Sequence, residues 1–151
     1  MFLHGGWMHL IGNMLYLWVF GNSIEDVIGH TKYALFYLTC GILAVLSHAV
    51  TDPSSTVPMV GASGAISGVL GAYVLVLIPS LGLTKVAAGI ALGTWFVMQL
   101  FSSGMSIGNT GGAVAFFAHI GGFLAGMALI GLFKRQNVPF FGASDRGWWE
   151  N

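Results

Sequence analysis

Only ten of the chain's 151 residues carry a charge, and where they fall limits the fold more than how few they are. They are Glu25, Asp26, Lys32, Asp52, Lys85, Lys134, Arg135, Asp145, Arg146 and Glu150, so residues 1–24, 33–51, 53–84 and 86–133 have none. A soluble chain is about a quarter charged; here the share is 7%, with 56% hydrophobic residues and a mean hydropathy of +0.82. So few charges cannot cover a water-facing surface. The chain reads as an integral membrane protein with the lipid bilayer as its solvent.

The same numbers remove other classes. Nucleic-acid binding needs a basic stripe to neutralise phosphates, and the formal net charge is zero. The single cysteine, Cys40, excludes a disulfide framework and any cysteine-based zinc site. His4 and His9, five apart, do not share a helix face, and no HExxH is present, so no histidine metal site and no cofactor are expected. No basic region precedes the first apolar run, so no cleaved secretory signal is expected either.

A helix crossing a ~30 Å hydrocarbon core needs about 20 residues. On that length the charge-free stretches give an all-α, polytopic transmembrane bundle of about five spans, near 3–22, 33–50, 62–79, 86–102 and 113–133. The connections are 23–32, 51–61, 80–85 and 103–112, and a polar tail follows from 134 to 151. With the N-terminus outside, loops 23–32 and 80–85 and the tail hold all five Lys and Arg residues. That is the positive-inside distribution and puts the C-terminus in the cytoplasm. Short loops favour a prokaryotic plasma membrane.

Glycines recur at helical spacing: Gly64, Gly68 and Ala72 in the third span, and Ala118, Gly122 and Gly126 in the fifth. Small residues four apart let two helix backbones approach closely in lipid. Each stripe carries a polar residue, Ser63 in one and His119 in the other. The first span carries His9 and Asn13 four apart, on one face, with His4 near its outer end. Counted from the cytoplasmic ends at 1.5 Å per residue, Ser63, His119 and His9 stand roughly 24, 21 and 20 Å deep. Three spans therefore bring polar side chains into one layer, where unpaired polar groups are costly.

A serine beside a histidine is the pairing of a nucleophile with its general base. No span contains a carboxylate, so the expectation is a Ser63–His119 dyad, with His9 and Asn13 as donors to a developing oxyanion. Each residue also has a plainer reading. A serine at a span start serves as a cap or packing residue, and a membrane histidine commonly packs. The catalytic reading draws on their convergence at one depth.

These segments resemble the rhomboid family of intramembrane serine proteases. His4-Gly5-Gly6-Trp7-Met8-His9-Leu10-Ile11-Gly12-Asn13 is similar to the family's His-x4-His-x3-Asn segment. Gly61-Ala62-Ser63-Gly64 is similar to its Gly-x-Ser-Gly, and Ala118-His119-Ile120-Gly121-Gly122 to its catalytic histidine segment. Gly21 to Gly29, with Glu25 between, resembles the turn that follows the first of these. The resemblance covers residues 1 to about 133. It implies Ser63 as nucleophile, His119 as base, and His9, Asn13 and the Ser63 N–H as the oxyanion site. It further implies that Gly61 lets substrate backbone approach and that His4 supports the outer end, with Gly64 a further supporting residue. The implied partners are transmembrane-helix protein substrates. Family members carry another span and a long loop ahead of the His-x4-His segment. Met1 lies three residues from His4, so this chain is expected to correspond to the last five of six core spans.

Two other classes stand beside a hydrolase. One is a non-catalytic relative that binds transmembrane helices, a class that usually lacks the serine or the histidine. The other is a transporter, which predicts acidic residues within the spans; the spans have none.

Overall fold

A computed structural model describes residues 2–51, 53–54, 56, 59–76, 90–92, 94–95, 111–136 and 138, with side chains in 111–136 from Phe116 onward. Among these residues the secondary structure is entirely helical. The first helical stretch comprises α1 (Trp7–Tyr16), a π-helical turn (Leu17–Gly21) and α2 (Asn22–Ile28). It is followed by α3 (His30–Thr51), α4 (Ser63–Val76) and α5 (Gly111–Phe133). Residues 90–92 and 94–95 are helical as well.

The expected spans 33–50, 62–79 and 113–133 correspond to α3, α4 and α5. α3 has 22 residues, and its mean hydropathy over a span-length window is 1.8; Phe116–Phe133 within α5 gives 1.9. Both are long and apolar enough to cross a bilayer, and only 28% of each window is buried within the bundle. Leu35, Ile42, Leu46, Leu124 and Leu132 on these helices are exposed and apolar, which suits contact with lipid. The span expected at 86–102 lies mostly outside the described residues, as do loop 80–85 and residues 103–110.

The first span differs from the expectation at both ends. Residues 2–4 are not helical, and the Leu3 carbonyl accepts a 2.6 Å hydrogen bond from the Gly61 N–H. The helix then continues through the segment read as a loop. Glu25 and Asp26 ride its outer side while Ile24, Val27 and Ile28 extend its buried face. Gly29 ends it with a φ of +88°, a left-handed conformation that suits glycine, and its N–H donates to the Glu25 carbonyl at 2.6 Å.

α4 is the centre of the bundle. Every residue from Ala65 to Tyr73 is buried, as befits a helix that is apolar all round. Its small residues face two neighbours. A methyl group on Gly64 or Gly68 would meet the Cβ of Ala44 or Cys40 of α3. On the other side, methyl groups on Gly122 and Gly126 of α5 would run into the Gly64 and Gly68 carbonyls. The stripes read from the sequence thus interlock backbone to backbone. Below them, Phe20 meets Tyr73 edge-on at 4.9 Å and Phe36 meets Phe133 at 5.5 Å. Val138, just beyond α5, closes this core, and the Arg135 N–H donates to the Val27 carbonyl at 3.2 Å.

Candidate active site

Ser63 is the first residue of α4, and His119 lies in the second turn counted from Phe116 of α5. The close approach of the two helices sets their side chains together: Ser63 Oγ and His119 Nε2 are 2.7 Å apart. His119 is buried, and its Nδ1 has no hydrogen-bond partner among the described residues. A hydroxyl joined in this way to an imidazole is the arrangement from which a base removes the proton.

Gly61 sets the approach to Ser63. Its φ is +107°, and a methyl group there would lie 2.7 Å from Cε1 and Nε2 of His9 and 3.6 Å from Nδ2 of Asn13. His9 and Asn13 therefore flank the turn that leads into Ser63. His9 Nδ1 accepts a 3.3 Å hydrogen bond from the Gly5 N–H, which leaves Nε2 as the protonated nitrogen of the neutral ring. Asn13 is buried, and its Nδ2 lacks a hydrogen-bond partner among the described residues. Two donors thus border the Ser63 turn from the α1 side.

His4 also joins the group. Because α1 begins only at Trp7, His4 lies in the non-helical lead-in, and its ring meets that of His9 edge-on with centroids 5.3 Å apart. The five-residue spacing, taken as separating the two rings, does not do so. Gly64 packs against Ala44 and lies beneath the Ala118 carbonyl. The structure thus brings all seven singled-out residues, His4, His9, Asn13, Gly61, Ser63, Gly64 and His119, to one end of the bundle.

Three residues near this end had no such weight in the sequence. Ser67, fully buried one turn below Ser63, donates its hydroxyl to the Ser63 carbonyl at 2.8 Å. Trp95 is buried against His119. His48 of α3 is buried, with Nδ1 lacking a partner among the described residues. Ser67 and His48 carried the same signal as Ser63, a polar residue inside an apolar span. Trp95 carried none, since an aromatic residue in an apolar helix is ordinary.

The sequence matches a known family over most of the chain. A Rhomboid domain model matches residues 1–136. The chain belongs to the rhomboid family. It is therefore an integral membrane protein, as its composition indicates. It is 36% identical over 129 residues to RHOMBOID-like protein 5 of Arabidopsis thaliana, covering 84% of this chain and 40% of that protein. It is 33% identical over 127 residues to rhomboid protease GluP of Bacillus subtilis, covering 84% of this chain and 24% of that one. A putative rhomboid protein of Acanthamoeba polyphaga mimivirus, L523, is 32% identical over 135 residues, covering 87% of this chain and 71% of its own length. The chain spans less than half the length of the plant and bacillar rhomboids.

Proposed function

We propose that this rhomboid chain is an intramembrane serine endopeptidase that cleaves transmembrane segments of membrane proteins through a Ser63–His119 dyad. The observation that carries the reading is the 2.7 Å contact between Ser63 Oγ and His119 Nε2 within a membrane bundle. Similarity to a named rhomboid protease supports it.

In this reading Ser63 Oγ attacks the scissile carbonyl while His119 Nε2 takes its proton, forming a tetrahedral oxyanion. His119 then gives the proton to the leaving amine as the C–N bond breaks, and water hydrolyses the acyl-enzyme that remains. His9 Nε2–H, the Asn13 amide and the Ser63 N–H donate to the oxyanion. Gly61 keeps bulk away from the attacking side, and Gly64 allows α3 and α5 to close on α4. His4 holds the outer side of His9. Chemistry at this depth requires a substrate helix to unwind locally, because a helical peptide bond is shielded by its own turn.

The chain's ends fit an orientation with the site in the outer half of the membrane. Arg135, which follows Lys134, sits beside the Gly29 turn at the end of the bundle away from the dyad, and that end is assigned to the cytoplasm.

The test is fluorophosphonate labelling of the chain in detergent, which needs an activated serine and no known substrate. Labelling of the wild type that is lost in both Ser63→Ala and His119→Ala is the expected result. Absence of labelling, or labelling that survives Ser63→Ala, sinks the hydrolase reading and favours a non-catalytic rhomboid that binds transmembrane helices.

A further inference from the structure

Among the described residues a single hydrogen bond holds the His119 ring, the one between Nε2 and Ser63 Oγ. Its other nitrogen is buried with no partner among the described residues. An imidazole tethered at one atom swings about its side-chain bonds, and small misplacements of a base cost large factors in rate. No acidic residue occurs in α4 or α5 to hold the ring, so packing must do what an aspartate does in a triad.

Trp95 is placed to supply that packing. It is buried, and its ring meets that of His119 with centroids 5.7 Å apart and planes at 82°. This perpendicular arrangement sets the edge of one ring against the face of the other. Trp95 is itself braced from α1. Tyr16 tilts against it at 6.4 Å, and the Tyr16 hydroxyl donates to the Ala91 carbonyl at 3.3 Å. On α4, one turn below Ser63, the Ser67 hydroxyl donates to the Ser63 carbonyl.

We propose that Trp95 is the positioning residue of His119 and that its indole stabilises the imidazolium formed when Ser63 gives up its proton. The proposal rests on the dyad reading above. A cation over the face of an indole, within about 6 Å of its centroid, is attracted by the ring quadrupole. The two centroids lie 5.7 Å apart with planes at 82°, and the proposal takes the indole as the ring that offers its face. The attraction is weak while His119 is neutral and grows as the proton arrives on Nε2. It therefore favours the transition state over the resting state.

The experiment measures fluorophosphonate inactivation kinetics on the full chain in detergent for wild type, Trp95→Phe, Trp95→Leu and Ser63→Ala. In the reaction Ser63 Oγ bonds to phosphorus, fluoride leaves, and the hydroxyl proton passes to His119. Trp95→Leu is expected to lower the limiting inactivation rate about tenfold, with the half-saturating probe concentration changed by less than about twofold. Trp95→Phe, which keeps a ring, is expected to recover most of that rate. A second readout is nuclear magnetic resonance of the 15N-histidine-labelled chain. There Trp95→Leu should shift or broaden the His119 ring signals and leave those of His30 in place. Full-rate inactivation of Trp95→Leu overturns the proposal, as does an equal loss in the Phe and Leu variants with unmoved His119 signals. If the wild type shows no Ser63-dependent labelling, the hydrolase reading falls by itself and the ring signals decide on Trp95. A response then upholds the positioning contact, and no response overturns it.

Discussion

At Gly61 the backbone and the site make separate demands on one residue. Its φ of +107° costs a residue with a side chain roughly 1–2 kcal/mol, and a methyl group there would also press on the His9 ring at 2.7 Å. Gly61→Ala is therefore expected to lower the thermal midpoint modestly and to slow Ser63 labelling far more, because the displaced ring is an oxyanion donor in the proposed mechanism. Parallel melting and labelling curves check this, and a labelling rate that falls only in step with stability speaks against His9 as a donor. The residues of this end were legible because lipid makes polar groups conspicuous: Ser63, His119, His9 and Asn13 stand out in spans without a charge. Trp95 was not, since the value of an aromatic ring depends on its neighbour, and that neighbour is 24 residues away in the chain.

Between elements, the α4–α5 contact leaves no room for a single added carbon. Gly126 faces the Gly68 backbone, and a main-chain carbonyl cannot rotate away as a flexible side chain does. Gly126→Ala should destabilise the bundle by about 1–3 kcal/mol through overpacking, and should weaken Ser63 labelling by spreading the helices that carry the dyad. Leu124→Ala, on the exposed face of α5, is the control and should do neither. A loss of labelling in both variants would detach the dyad from this contact. The stripes themselves were readable from spacing, and the spans α3 to α5 from length. The π-helical turn at Leu17–Gly21 was not, because its residues are ordinary apolar ones whose phase is set by tertiary packing. Charge likewise misled at Glu25 and Asp26, which sit on the outer side of a helix that simply continues to Gly29.

Across the whole molecule the two ends are built differently. The Ser63–His119 contact occupies one, while at the other Val138 fills the core and the Arg135 N–H pins the end of α5 to Val27. Val138→Ala removes two buried carbons, a loss of roughly 1.5 kcal/mol. The expected outcome is a lower melting midpoint with unchanged labelling below it, since His119 and Phe133 are separated by roughly 21 Å of helix. Reading the residues after 133 as a polar tail gave no hint of this packing. One valine between Asn137 and Pro139 has no periodicity to betray it.

The interlocked glycines of α4 and α5 also act as a vernier. A slip of one residue between the helices is a step of about 1.5 Å along the axis, enough to carry a 2.7 Å hydroxyl–imidazole contact out of range. Carbonyls seated against bare α-carbons oppose such a slip. The serine and histidine are thus aligned by main chain, which does not re-pack when the surrounding lipid or detergent changes.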